Sequence, residues 1–297
     1  MTARRIDGKL RAGEIHEEVA RRARDLRDRG VVPTLAMLRV GEDPASVVYL
    51  RKKAEAAAEV GVESRNLVFA ADADPAGVAG AMESLNADPA VHGILLQLPL
   101  PSGWDAQDLL RRMDPAKDVD GFHPESVGRL VRGEPSLVPC TPLGILYLLH
   151  REGVDLTGKV AAVVGRSNIV GRPVANLLSQ KGAGRDATVI LLHSRSRDIG
   201  AWTRQAEILV AAAGSPQMIG ADMVREGAVV IDVGIHRVPH PDKPGAFRLI
   251  GDVDPRAAEV ASAMTPVPGG VGPMTVAMLL RNTVDAASGS MTRPWAS

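Results

Sequence analysis

Residues 160–173 read Val160-Ala161-Ala162-Val163-Val164-Gly165-Arg166-Ser167-Asn168-Ile169-Val170-Gly171-Arg172-Pro173. An unbroken run of small and β-branched apolar residues, without polar alternation, predicts a strand buried on both faces, as in a parallel sheet. Gly165 lets the backbone turn tightly, and a helix is expected from Val170 to Lys181. Strand, glycine turn and helix start place unpaired N–H groups and the positive end of a helix dipole at the end of a strand, where a phosphate is well held. The spacing departs from G-x-G-x-x-G because Ser167 replaces the middle glycine, so a Rossmann-like fold without a cofactor stays open on this stretch alone. The next strand, Thr188–Leu192, sharpens the reading. It runs into His193-Ser194-Arg195-Ser196-Arg197, with no acid before Asp198. A site for NAD ends this strand with Asp or Glu on the ribose 2′-hydroxyl. Arg166, Ser194 and Arg195 instead suit a 2′-phosphate, which predicts NADP over NAD.

Strands alternate with helices on both sides of this segment. Thr34–Val40, Arg65–Phe69 and His92–Gln97 read as strands, separated by helices at Pro44–Val60 and Pro75–Asn86. A second round has a helix at Pro142–Arg151 and strands at Lys159–Val164, Thr188–Leu192, Ile208–Ala212 and Val229–Val233. This alternation predicts an α/β protein with parallel sheets and right-handed crossovers. Asp114–Pro139 reads as an irregular interdomain stretch rich in Gly and Pro. Met274–Ala287 reads as a last helix, and the tail after Ser288 as loose.

The 297 residues suit two domains. With 35 basic and 35 acidic residues, formal charge is zero, which gives no field for nucleic acid or anionic membrane. The run Arg21–Arg29 alternates with Asp25 and Asp28 and reads as a solvated helix face. The one cysteine, Cys140, cannot build a disulfide framework or a Cys-rich zinc site, and no base is evident near it; it reads as structural. No apolar signal core opens the chain and no stretch reaches the ~20 apolar residues of a membrane helix, so a soluble cytoplasmic protein is expected. His16, His150, His193, His236 and His240 read as surface or loop positions.

Three further segments carry candidate chemistry. Asp43 and Pro44 open a helix and Gly61 closes it. With a helical advance of about 100° per residue, Tyr49 and Lys53 fall within about 60° of Ser46, whereas Lys52 points elsewhere. A hydroxyl, a phenol and an amine thus share one face near a strand end, although a plain solvated face has the same spacing. Gln97 ends the apolar strand before Pro99 and Pro101. Its amide can both donate and accept, and can orient an amine or cap the strand without a ligand. Asp118 and Asp120 follow in a loop. Neither they nor His123 match a metal-ligand spacing, so no metal is expected. A carboxylate accepting two parallel hydrogen bonds from an amidine-like heterocycle edge is better chemistry.

Together, Ser46–Lys53 with its S-x-x-Y-x-x-x-K spacing, GILLQLPLP at 93–101, KDVDGFHP at 117–124, PCTP at 139–142, VVGRSNIVGRP at 163–173, IDVGI at 231–235 and TPVPGGVGPMT at 265–275 closely resemble the bifunctional methylenetetrahydrofolate dehydrogenase/cyclohydrolase family, over nearly the whole chain. The resemblance implies a folate-binding catalytic domain, a three-layer α/β unit, at 1–139 and 272–297, and a Rossmann-like NADP-binding domain at 140–271, with the C-terminal helix returning to the first domain. It implies NADP-dependent oxidation of methylenetetrahydrofolate, hydrolysis of the methenyl product, a homodimer, and a place in one-carbon metabolism and purine biosynthesis. It implies Lys53 as catalytic lysine, Tyr49 beside the folate, Gln97 positioning Lys53, and Asp120 anchoring the pterin, with Ser46 also on the substrate side. Gly165, Arg166, Ser167, Ser194, Arg195 and Ile235 match cofactor positions. Pro266, Gly269 and Gly270 match a substrate loop lining the cleft between domains. Two features depart from the pattern, the long connection Gly184–Thr188 and Ser215 where a lysine is expected. A shikimate-type dehydrogenase and a non-catalytic NADP-binding sensor are rivals. Gln97 and the 265–275 loop oppose the first, and the complete set Tyr49, Lys53, Gln97 and Asp120 opposes the second.

Overall fold

The computed structural model describes residues 2–289 apart from 183, 242 and 244. The tail expected to be loose lies, from 290 on, outside the described residues. In chain order the elements are β1 (Arg4–Arg5), α1 (Gly8–Asp28), β2 (Thr34–Val40), α2 (Pro44–Glu59), β3 (Glu63–Phe69), α3 (Pro75–Ala87), β4 (Gly93–Leu96), α4 (Ala106–Arg112), α5 (Pro124–Arg132), α6 (Cys140–Arg151), β5 (Val160–Val164), α7 (Gly171–Ser179), β6 (Thr188–Leu192), α8 (Ile199–Thr203), β7 (Ile208–Ala211), β8 (Val229–Asp232), β9 (His236–Pro239), β10 (Phe247–Ile250), β11 (Ala263–Met264) and α9 (Val271–Ala287). By contacts the chain divides into Gly13–Cys140 with Val276–Ser297, and Met1–Ala12 with Thr141–Thr275.

The first unit holds a parallel sheet in the order β3-β2-β4. The central strand β2 is apolar on both faces because helices cover both. Ala36, Leu38, Ile94 and Leu96 pack with Val78, Met82 and Leu85 of α3 and Leu109 and Leu110 of α4. Leu35, Met37 and Leu95 alternate onto the opposite face. There α9 closes so tightly that a Cβ on Gly93 would stand 3.2 Å from Thr283 Oγ1. The result is the expected three layers. Arg22 of α1 pairs with Asp285 of α9, so it is held, while Arg21, Arg24, Arg27 and Arg29 are exposed as a solvated face would be.

The stretch 114–139 is more ordered than its composition implied. It contains α5, opened by Pro124, capped where His123 Nδ1 accepts the Glu125 N–H at 3.1 Å, and ended by Gly133 at φ 68°. Pro and Gly punctuate a short helix here.

The second unit is a parallel sheet in the order β1-β11-β8-β7-β5-β6, with a separate antiparallel pair β9–β10. From β5 the chain goes outward to β6 and then returns to β7 on the other side of β5. That reversal makes the carboxyl end of β5 the switch point where open α/β sheets bind ligands. The described part of residues 1–12 belongs to this unit. The reason is β1: Arg4 pairs with Ala263 and Arg5 with Met264, and Ile6 N–H reaches Met264 O at 2.9 Å. Two residues of strand are too short a signal to read in sequence.

Candidate active site

In the first unit α2 presents the predicted face. Asp43 caps the helix, accepting the Ser46 N–H at 2.8 Å and its hydroxyl at 2.9 Å. These bonds hold the Asp43 carboxyl below the usual range. Ser46 is buried, and its hydroxyl is engaged by this cap. Tyr49, one turn on, leaves its ring 47% exposed, open to an aromatic partner. Lys53 is half-buried, and its Nζ donates to Gln97 Oε1 at 3.2 Å. Gln97 is fixed at both ends: its backbone N–H donates to Leu38 O at 2.8 Å and its Nε2 to Leu98 O at 2.6 Å. Its oxygen is thereby committed to Lys53.

The 117–124 string divides its labour. Lys117 Nζ donates to the carbonyls of Leu85, Asn86 and Asp88 at 2.7–3.0 Å, stitching the loop to the end of α3. Asp118 is buried, and its Oδ2 accepts the His123 N–H at 2.6 Å. Burial pushes its carboxyl up to about 7 against these bonds. Asp120 is half-buried; burial raises its carboxyl, while the Lys53 charge pulls it back down. Only Asp120 of this string shares the electrostatics of Lys53. Cys140 is buried, donates Sγ–H to Val119 O at 3.2 Å, and has its thiol pushed well up by burial, an inert structural role.

In the second unit Gly165 has φ 121°, and a Cβ there would stand 1.9 Å from Ala212 O. Any side chain would drive β5 and β7 apart at the switch point. Gly171 lets α7 approach the turn: its Cβ would stand 1.9 Å from Gly165 O. Ser167 Oγ accepts the Val170 N–H at 3.1 Å and so shapes the turn from within. Val164 and Leu192 are register partners, and Gly165 N–H reaches Leu192 O at 2.8 Å. Arg166 therefore leaves β5 beside the point where Ser194 and Arg195 leave β6, and all three are exposed. This glycine cradle, with the exposed Arg166 and Arg195 on neighbouring strand ends, fits a dinucleotide carrying a 2′-phosphate. Ile235 is 46% exposed at the end of β8. The 266–270 loop lies on the start of α1, where a Cβ on Gly8 would stand 1.7 Å from Gly270 O.

Comparison with known proteins identifies the family. Residues 6–120 match the model for the tetrahydrofolate dehydrogenase/cyclohydrolase catalytic domain, and residues 139–291 that for its NAD(P)-binding domain. The chain belongs to the tetrahydrofolate dehydrogenase/cyclohydrolase family. It is 52% identical over 291 residues to the bifunctional protein FolD of Azoarcus sp., covering 98% of each chain. Its structure is similar to that of the bifunctional FolD of Campylobacter jejuni, with TM-score 0.91, 41% identity, and 96% and 98% of the two chains covered. It is also similar to the Trypanosoma brucei FolD complexed with NADP and an inhibitor, with TM-score 0.90, 37% identity, and 97% and 98% covered.

Within this family member, two side chains that the sequence reading passed over hold the site. Asn282 of α9 is buried and donates to Val119 O at 2.8 Å and Val138 O at 2.9 Å, directly behind Asp120. A lone Asn in an apolar helix was the available signal. Asn282→Ala takes the hydrogen bond from the Val138 carbonyl and leaves the Val119 carbonyl only the Cys140 thiol, and a loss of about 1–3 kcal/mol is expected. Urea unfolding checks it: a midpoint equal to the parent's would show that the two bonds contribute nothing. The second is His236, which is not a bystander: its Nε2 lies 2.7 Å from Asp252 Oδ1. His16 also departs from a plain surface position, being half-buried on α1 with its titration lowered by burial.

Proposed function

We propose that Lys53, held by Gln97 and paired electrostatically with Asp120, moves the protons of the hydrolytic half of this bifunctional enzyme, which oxidises methylenetetrahydrofolate with NADP+ and hydrolyses the methenyl product. The 3.2 Å contact from Lys53 Nζ to Gln97 Oε1 carries this reading. In the first reaction the methylene bridge loses a hydride, for which bound NADP+ supplies the acceptor. This leaves a methenyl cation shared by two nitrogens and needs no acid or base, so the protein contributes orientation. Gly165, Arg166, Ser194 and Arg195 hold the cofactor. In the second reaction a water oxygen bonds to the methenyl carbon and a ring C–N bond breaks. Lys53 Nζ takes one water proton and returns it to the leaving nitrogen, and the second water proton passes to solvent as the formyl C=O forms. Asp120 accepts paired N–H bonds from the heterocycle, and the exposed Tyr49 ring stacks on the aromatic part of the folate. Pro266, Gly269 and Gly270 border the substrate.

Among the described residues no helix is long and apolar enough to cross a membrane. The single cysteine and the family resemblance support a cytoplasmic homodimer whose formyl product serves purine synthesis. The test is one cuvette containing methylenetetrahydrofolate and either NADP+ or NAD+. Nicotinamide reduction with NADP+ followed by methenyl decay is the expected result. Folded protein that does neither would overturn the reading.

A further inference from the structure

Two buried carboxylates meet in the second unit, and the mechanism above uses neither. Asp232 ends β8 and Asp252 follows β10; they are 2% and 0% exposed. Asp252 accepts the Gly214 N–H at 2.9 Å, the Ser215 N–H at 3.0 Å, and His236 Nε2 at 2.7 Å. Asp232 accepts the N–H groups of Gly234 at 3.0 Å, Asp252 at 2.9 Å and Val253 at 3.0 Å. The Asp232 N–H in turn donates to Thr265 Oγ1 at 2.8 Å. The fit is close, since a Cβ on Gly251 would stand 1.8 Å from Asp232 Oδ2.

The pair therefore grips three loops at once. One leaves β7 at Gly214–Ser215, one leaves β8 through Ile235, and one leaves β11 at Thr265 toward Pro266–Gly270. All three emerge at the carboxyl ends of parallel strands, where this fold binds its ligand. Loops have no ladder to hold them, and burying a carboxylate costs several kcal/mol before its bonds are counted. Burial accordingly raises the Asp232 carboxyl to about 6, against three amide bonds and with the neighbouring Asp252 adding to the rise. What the arrangement provides in return is fixed geometry where the cofactor must be met.

We propose that Asp252, braced by Asp232 and closed by His236, is a positioning residue of the cofactor site that presets Ile235 and the Gly214–Ser215 turn for NADP. This rests on the reading of Ile235 as a cofactor contact. Ser215, which stands where a lysine was expected, is then held through its backbone N–H, and its side-chain identity is unimportant for this grip.

The test uses the full chain with Asp252→Asn, His236→Phe and His236→Gln, measuring the KM for NADP+, the kcat of cofactor-free methenyl hydrolysis, and NADP+ affinity by calorimetry. Asp252→Asn is expected to raise the NADP+ KM about tenfold, the scale of one lost charge-assisted bond, with hydrolysis unchanged. His236→Phe raises it less, and His236→Gln, which can still donate to Asp252, recovers most of the difference. An unchanged NADP+ KM in folded variants, or hydrolysis and NADP+ use falling in proportion, would overturn the proposal. If Asp252→Asn does not fold, the two His236 variants decide. A parent chain inactive on folates would sink the functional reading alone, and calorimetry with NADP+ would still decide this one.

Discussion

Lys53→Met is expected to lower the kcat of methenyl hydrolysis by about 10²–10⁴-fold, the usual contribution of a positioned acid–base group. The melting temperature should stay close to the parent's. Met has nearly the shape of the lysine stem, and the one hydrogen bond removed, to Gln97 at 3.2 Å, lies in a half-buried site rather than in the core. NADP+ reduction should fall much less, because hydride loss needs no proton transfer. The variant also removes the charge that pulls the Asp120 carboxyl down, so Asp120 should protonate more readily and folate KM should rise. A variant that still hydrolyses methenyl substrate at the parent's rate would remove Lys53 from the mechanism.

The double substitution Arg166→Ala with Arg195→Ala is expected to weaken NADP+ binding by about 10²-fold, at the low end for two charge-assisted phosphate contacts because both side chains are exposed. NAD+ has no 2′-phosphate, so its affinity should move little. Titration calorimetry with both dinucleotides reads the difference directly. Equal weakening of the two would mean that the arginines shape the turn and do not recognise the phosphate.

What was legible in the sequence follows from how each signal is encoded. The parallel strands Thr34–Val40, which is buried, and Thr188–Leu192, which lies at the sheet edge, appeared with the expected bounds because continuous apolar runs have few other readings. Lys53 and Gln97 were legible because one sits on a helix face and the other at a strand end, both fixed by local periodicity. The helix α5 within 114–139 was missed because proline and glycine mark the ends of a helix as readily as they mark an irregular segment. The pairing of β1 with β11, the Asn282 bonds and the His236–Asp252 contact depend on residues far apart in sequence, which no local pattern encodes. KDVDGFHP looked like one functional string. Its residues proved to have separate duties, because Lys117 and Asp118 hold the loop that displays Asp120.

The pairing of β1 with β11 and the anchoring of Val119 by Asn282 also set the order in which the protein can be finished as it is made. The edge strand at residues 4–5 waits for residues 263–264, and the Asp120 loop waits for residue 282. On a ribosome that adds about 5–20 residues per second from the N-terminus, one unit cannot be completed before residue 264 has emerged, nor the other before residue 282. Both halves therefore mature at nearly the same moment, although their sheets lie far apart in the sequence. A polypeptide released early, short of residue 263, would lack the closing piece of each unit.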